Sequence, residues 1–257
     1  MNKYITLFLI FFFTTLLCNR TNAELQHDDS PTSAIDQLLK KIDNVMQKEH
    51  IPGLMVSIVK KDSIVFSGGL GYADLEQKIP VDSTTQFHLA SVTKFFLAMG
   101  IQKLIAEGKL KLDDPIRKIA PEIPFKNKWE STHPVRIVHL LEHTSSFEDI
   151  AINKMVNMTG KPLTGIEAIL DQENALICRW RPGERMSYSS PGHNVLGYIL
   201  EKVSGMPWNE YIQETLFRPL AMSSTFFDLT GESRPGYARG YDYRDGGLYV
   251  VTLLHAK

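Results

Sequence analysis

The order of helical and strand patterns along this chain is the feature that most constrains its fold. Apolar residues at helical spacing predict an amphipathic helix over residues 31–50, capped by Ser33. Further helices are predicted after it, over residues 91–107, 135–143, 165–175, 191–203 and 208–217. The order is therefore one helix, then a pair of strand patterns, then the further helices, and finally a few late strand patterns. Such an arrangement predicts an α+β domain whose sheet collects strands from distant parts of the chain.

The strand patterns form an early and a late group. Residues 54–59 and 64–67 predict a β-hairpin with its turn at residues 60–63. Gly68, Gly69 and Gly71 are expected to end this hairpin and to open a loop that runs to about Thr85. The late stretch 237–254 is aromatic and β-branched, and Asp245-Gly246-Gly247 is its predicted hairpin turn.

Residues 1–23 are predicted to be a signal peptide, and residues 24–257 a single domain. Asn2 and Lys3 give a polar, positive start, residues 4–17 are almost purely apolar, and residues 21–23 offer small side chains for cleavage. The apolar run is short for a membrane span, and an uncleaved N-terminal anchor is the alternative. We expect an exported protein, periplasmic or secreted, that meets the membrane only through this segment.

Charge and cysteine content exclude some classes of function. The formal net charge of -1 offers no basic surface for nucleic acid. Once residues 1–23 are removed, Cys178 is the remaining cysteine, so the fold must be held by its core and not by an intrachain disulfide. Cys178 lies beside Arg179, which would favour a thiolate nucleophile, but we expect a small buried apolar residue instead.

Ser91 and Lys94 are the first candidate catalytic pair. They lie three residues apart at the start of a predicted helix, so both side chains project from one face. A serine hydroxyl needs a base to become a nucleophile, and an uncharged lysine amine can serve. We expect burial among Phe95, Phe96 and other apolar groups to keep the Lys94 amine uncharged. A serine and a lysine at this spacing occur in many helices, so the pair needs a second signal.

Tyr188 and Ser190 supply that second signal, because they lie two residues apart just before a predicted helix. Together with other segments they resemble class C β-lactamases, D-Ala-D-Ala carboxypeptidases and β-lactamase-like esterases, and the Ser-x-x-Lys signature is itself typical of β-lactamases. The segments that carry the resemblance are Ala90-Ser91-Val92-Thr93-Lys94, Leu140-Leu141-Glu142-His143-Thr144-Ser145-Ser146, Pro182-Gly183-Glu184, Tyr188-Ser189-Ser190 and residues 196–205.

The resemblance implies a fold and a role for each candidate residue. The fold would be β-lactamase/transpeptidase-like, with an antiparallel sheet flanked by helices and a large helical subdomain. Ser91 would be acylated, Lys94 would accept or relay its proton, and Tyr188 would be the partner acid or base. Ser190 stands where the family more often has asparagine and would bind the substrate or Lys94. We expect no cofactor, a monomer, and a small-molecule or peptidoglycan-derived substrate: a β-lactam, a D-Ala-D-Ala peptide or an ester.

A third element of the family, Lys-Thr-Gly or His-x-Gly on a late strand, has no match after Tyr188. The late triplet His255-Ala256-Lys257 lacks the glycine. That strand normally supplies one of two oxyanion donors, and losing one donor lowers the rate about 10²- to 10³-fold. We expect the C-terminal strands to be missing from this chain, which would leave the early hairpin with an unpaired edge. The alternative is that residues 237–254 form substitute strands.

Two other functions remain open from the sequence. His139-Leu140-Leu141-Glu142-His143 matches an inverted zinc-peptidase signature, in which both histidines bind metal from one helical face and Glu142 is the base. A non-catalytic or impaired ligand-binding relative is the other alternative, and the missing third element favours it. The other histidines singled out here are expected to be solvated or capping: His50, His88 and His193.

Overall fold

The computed structural model describes residues 31–151, 163–227 and 236–251. Residues 1–23 and the triplet 255–257 lie outside the described residues, and so does the side chain of Ser33. The helices are α1 Pro31–Lys48, α2 Thr93–Ala106, α3 Ile116–Ile119, α4 Ile137–Leu141, α5 Gly165–Leu170, α6 Ser190–Ser204 and α7 Trp208–Ile212. The strands are β1 Gly53–Lys60, β2 Ser63–Asp74, β3 Ile79–Pro80, β4 Gly240–Arg244 and β5 Gly247–Val251. Helices and antiparallel sheets confirm the predicted α+β class.

The early hairpin is longer than predicted. β1 and β2 pair antiparallel, and β2 continues through Gly68, Gly69 and Gly71 to Asp74, so the expectation that these glycines end the hairpin is wrong. Glycine is required at position 69 of this strand for a steric reason, because a Cβ there would collide with the carbonyl of Val81. Glycine here permits a close approach of chains within the sheet. Within the described residues β1 is an edge strand, as predicted.

The hydrophobic core lies among the helices. Helix α2 packs on α6 and α7, and α6 also packs on α4 and α5. Side chains from these helices, from the segment between α4 and α5 and from the helical segment Gln213–Phe217 after α7 are fully buried, among them Ile101, Leu104, Phe147, Leu196, Ile199 and Phe217. Cys178 belongs to this core and is 5% exposed. Its thiol donates to the carbonyl of Ser145 at 3.3 Å, and burial raises its pKa to about 12, which confirms a structural cysteine.

The late strands form a sheet of their own. β4 and β5 pair across Asp245 and Gly246, whose φ angles of 52° and 79° are those of the predicted tight hairpin turn. Within the described residues β4 and β5 do not extend the β1–β3 sheet, although the chain just before β4 is bonded to β2, since the Arg239 N–H donates to the Ala73 carbonyl at 2.8 Å. The alternative of substitute strands over residues 237–254 stays a prediction, because residues 252–254 lie outside the described residues. The tight turn lets β4 and β5 hydrogen-bond to each other along the edges that face one another. The hairpin is tethered to β2 by an ion pair from Arg239 to Asp74, 2.9 Å long.

Helix α1 confirms the predicted amphipathic segment, but its apolar face is only partly covered. Met46 is buried, whereas Leu38 and Val45 are 41% and 54% exposed. Over the described ranges, no helix combines the length and apolarity that crossing a bilayer requires.

Candidate active site

Ser91 lies in a 3-10 turn, Ala90–Val92, that leads directly into α2. The turn brings the Ser91 hydroxyl and the Lys94 amine to one face, and Lys94 Nζ donates to Ser91 Oγ at 3.1 Å. Ala90 has a φ of 44°, which is uncommon for a residue with a side chain. The predicted juxtaposition of hydroxyl and amine is therefore present in the structure.

Tyr188 approaches Ser91 from the segment that precedes α6. Its phenol donates to Ser91 Oγ at 2.9 Å, and Lys94 Nζ lies 5.1 Å from its ring centroid. Desolvation opposes ionisation of this phenol, but hydrogen bonds with Lys94 and Ser91 and the Lys94 charge outweigh it and lower the Tyr188 pKa below its ordinary value. The side chains of Lys94 and Tyr188, from two separate segments, thus converge on the Ser91 oxygen atom.

Helix α6 explains why Tyr188 is held at this place. Ser189 is the N-cap of α6: its hydroxyl accepts the Gly192 N–H at 3.1 Å and donates to the Glu148 carbonyl at 2.9 Å. Ser189 is buried, whereas its neighbour Tyr188 is 39% exposed. The cap anchors the backbone immediately after Tyr188, so the phenol reaches Ser91 from a fixed point.

The surroundings of Lys94 differ from the expected apolar enclosure. Phe95 is 61% exposed and does not cover the amine, so that part of the prediction is wrong. Phe96 turns inward and packs edge-on against Phe217 at 5.0 Å between ring centroids. Consecutive helical side chains point about 100° apart, so Phe95 and Phe96 cannot both face Lys94. Lys94 is half-buried, and Ser91 is open to solvent.

Ser190 makes its described contacts with Asp149 and Tyr188. Its backbone N–H donates to Asp149 Oδ1 at 2.9 Å. Burial opposes ionisation of Asp149, but hydrogen bonds from Ser190 and Ile150 outweigh it and lower the pKa of this carboxyl. The Ser190 hydroxyl also helps to lower the pKa of the Tyr188 phenol. Ser190 therefore lies at the edge of the Ser91 cluster, next to a carboxylate that sequence reasoning did not single out.

His143 and His193 also belong to the site, in a role that the sequence did not predict for them. The His143 ring stacks on Tyr188 at 4.4 Å and lies 4.6 Å from the ring of His193. His193 is 6% exposed, so the expectation that it is solvated or capping is wrong. Burial, followed by the proximity of His143 and Lys94, lowers the His193 pKa to about 4. The pair is separated by 50 positions, so no local sequence pattern reveals it.

The zinc arrangement proposed for His139, Glu142 and His143 is contradicted by the backbone. Helix α4 ends at Leu141 and His143 has a φ of 58°, so the two histidines do not share a helical face. His139 Nδ1 accepts the Arg136 N–H at 3.2 Å, while His143 faces Tyr188. Over residues 31–151, 163–227 and 236–251, no three metal-binding side chains of the His, Cys, Asp and Glu types are grouped.

Comparison with known proteins assigns this chain to a family. The Beta-lactamase family model matches residues 38–255. Protein flp of Staphylococcus aureus (strain N315) is 32% identical over 219 residues, which are 84% of this chain and 43% of that protein. A Beta-lactamase of Escherichia coli (strain K12) is 26% identical over 247 residues, covering 94% of this chain and 60% of that protein.

A solved structure gives the same result. The octameric penicillin-binding protein homologue from Pyrococcus abyssi is 31% identical, with a TM-score of 0.70, over 84% of this chain and 50% of that one. The chain thus spans about half the length of such relatives. The residues matched by the family model include the segments that carry Ser91 and Tyr188. The chain belongs to the Beta-lactamase family.

Proposed function

We propose that this chain is a serine hydrolase that works through an acyl-enzyme on Ser91. The observation that carries the proposal is that Ser91 Oγ accepts hydrogen bonds from both Lys94 and Tyr188. A solvent-exposed hydroxyl with two proton-transferring neighbours is suited to nucleophilic attack on a carbonyl carbon. Membership of the Beta-lactamase family supports the same chemistry.

In this proposal Lys94 and Tyr188 act as one proton-transfer unit. The Lys94 ammonium favours the phenolate form of Tyr188, in line with the lowered pKa of that phenol. The phenolate takes the Ser91 proton as Oγ bonds to the carbonyl carbon, and the proton then passes to the leaving group as its bond to that carbon breaks. Water later attacks the Ser91 ester and releases the acid. Ser190 binds the substrate at the edge of the site, beside Asp149.

The substrate we propose is a β-lactam, a D-Ala-D-Ala peptide or an ester, since all three form the same serine ester. The open setting of Ser91 and Tyr188 fits a small molecule or the end of a peptide. We further propose an exported monomer. The octameric relative from Pyrococcus abyssi makes oligomeric state a point to measure, by light scattering on the purified protein.

The test is covalent labelling of the purified chain with a fluorophosphonate and with a fluorescent penicillin, followed by mass spectrometry. We expect one adduct on Ser91, absent in Ser91→Ala and slowed on the order of 10²-fold or more in Lys94→Ala and Tyr188→Phe. Ser57→Ala is the matched control, because the Ser57 hydroxyl also bonds a neighbouring hydroxyl, that of Ser67 at 2.9 Å, but on the β1–β2 hairpin.

One result of the labelling experiment would support a ligand-binding protein in place of a hydrolase. A β-lactam that binds reversibly, leaves no adduct, and keeps its affinity in Ser91→Ala would identify a ligand-binding relative without turnover. An adduct on any residue other than Ser91 would equally contradict the proposal.

A further inference from the structure

Three aromatic rings form a continuous stack behind the Ser91 hydroxyl. Tyr188 stacks on His143 with centroids 4.4 Å apart and planes at 29°. On the other side of His143, His193 lies at 4.6 Å with planes at 33°. The rings come from three places: the segment before α6, the segment after α4, and α6 itself. His143 is the middle ring, so the position of Tyr188 depends on it.

His143 also holds the backbone on both sides of Tyr188. Its Nδ1 accepts the N–H of Ser189 at 3.1 Å. Its backbone carbonyl accepts the N–H of Ser187 at 2.8 Å. One residue therefore contacts Tyr188 by its ring and contacts both sequence neighbours of Tyr188 by hydrogen bonds. Such three-point support fixes a side chain more tightly than packing alone, because the backbone and the ring plane are restrained together.

We propose that His143 is a positioning residue, which as a neutral imidazole holds the Tyr188 phenol against the Ser91 hydroxyl. The inference rests on the proposed function and adds a residue to it. His143 touches no reacting atom and acts through Tyr188. A shift of about 1 Å in a proton-transferring group is enough to lower a rate on the order of 10²-fold.

The neutral state is required by the hydrogen bond, because Nδ1 accepts the Ser189 N–H only when it carries no proton. The charged and titratable groups that face the ring are Lys94 on α2, Asp149 after α4, Tyr188 before α6 and His193 on α6. Burial and the Lys94 charge lower the His143 pKa, against the opposing effect of Asp149. In acid the imidazole gains a proton, Nδ1 can no longer accept the Ser189 N–H, and Tyr188 loses its support.

The experiment compares His143→Asn with His50→Asn. Both histidines have left-handed backbones, with φ of 58° and 56°, and asparagine tolerates that conformation well. Both stack on a tyrosine, since His50 lies 3.7 Å from Tyr243, but His50 makes no described contact with the Ser91 cluster. The asparagine amide oxygen still accepts the Ser189 N–H, so the His143→Asn variant removes the ring while keeping the backbone bond.

We expect the kcat for ester hydrolysis to fall on the order of 10- to 100-fold in the His143→Asn variant, with KM nearly unchanged and with the acid limb of the pH–rate profile altered. The His50→Asn variant keeps the wild-type kcat and profile. Wild-type kcat in the His143→Asn variant, or a lower thermal midpoint without any change in kcat, would show that His143 has a structural role only and would overturn the inference.

A second measurement does not depend on turnover. The pKa of Tyr188 is measured from the absorbance change on tyrosine ionisation, as the difference between the protein and its Tyr188→Phe variant. This pKa reports where the phenol lies relative to Lys94. We expect the Tyr188 pKa to rise toward its ordinary value in the His143→Asn variant and to stay lowered in the His50→Asn variant. An unchanged Tyr188 pKa contradicts positioning by His143. Failure of Ser91 to be labelled, with this shift present, contradicts the proposed function alone.

Discussion

The helical region and the strand region of this protein differ in how they bury their side chains. The large side chains that are fully buried come from residues 101–217, in the helices and the segments that join them. In the β1–β2 hairpin, by contrast, Val59, Ile64 and Val65 are 63%, 70% and 42% exposed. Apolar burial is the main stabilising contribution to folding. The stability of the described residues is therefore concentrated in the helical region.

This difference shows where the candidate site obtains its rigidity. Helix α2 carries Ser91 and Lys94 at its start and buries Leu97, Ile101 and Leu104 against the other helices. Tyr188 precedes the cap of α6, whose apolar face is buried in the same core. Both segments that meet at Ser91 are thus fixed from the helical side. Perturbing the strands should leave the Ser91 cluster in place.

The largest expected effect comes from removing core volume. Ile101→Ala should lower the free energy of unfolding by about 2–5 kcal/mol, because it leaves a cavity where the side chain is 0% exposed. Ile64→Ala is the matched change in β2, where the side chain is 70% exposed, and should cost less than about 0.5 kcal/mol. Urea denaturation measures both. Equal losses would mean that the hairpin is as tightly built as the helices.

A smaller effect should appear on acidification, through His193 in the helical region. Burial lowers the His193 pKa from 6.5 to about 4, so the unfolded chain takes up this proton first. Stability from neutral His193 is complete above pH 6.5 and falls as the pH drops toward 4, by on the order of 2 kcal/mol once residual solvent screening is allowed for.

His193→Leu tests this pH dependence, because it removes the titrating ring. It also removes an Nδ1 atom that has no hydrogen-bond partner among the described residues. Unfolding free energies measured between pH 7 and pH 4 should fall less steeply in the variant than in the wild-type protein. Parallel curves would show that His193 does not titrate with unfolding.

The helices and the Ser91–Lys94 pair were largely predictable from the sequence, since both are encoded locally. Ser91 and Lys94 meet because they lie three positions apart, across the 3-10 turn and the start of α2. Glycines at 108 and 205 end α2 and α6 in left-handed conformations, as their positions predict. Tyr188 was assigned through its place in a family pattern, and the structure brings its phenol to Ser91.

Features that depend on distant contacts were not predictable. Gly69 lies within a strand because the Val81 carbonyl occupies the space that a side chain would need. His143 and His193 meet only because α6 packs beside α4. Phe95 and Phe96 are adjacent and equally apolar, yet one is 61% exposed and the other packs on Phe217. In each case the outcome is set by a partner far along the chain.

The smallest expected effect comes from replacing one glycine at the end of a helix and one in the late hairpin. Gly108 follows α2 with a φ of 72°, Gly246 lies in the β4–β5 turn with a φ of 79°, and at neither would an added Cβ meet an atom within 4 Å. Alanine therefore introduces the same backbone strain at both positions, about 1 kcal/mol, and no clash. If the late hairpin opens independently of the core, only the Gly108→Ala variant loses global stability.

Urea denaturation and amide hydrogen exchange distinguish the outcomes. We expect the free energy of unfolding to fall by about 1 kcal/mol in the Gly108→Ala variant and by less than about 0.3 kcal/mol in the Gly246→Ala variant, because only regions that unfold with the core contribute to the global value. In the latter, exchange of the β4 and β5 amides should accelerate. Equal global losses would instead mean that contacts such as the ion pair from Arg239 to Asp74 and the stacking of Tyr243 on His50 make the late hairpin unfold together with the core.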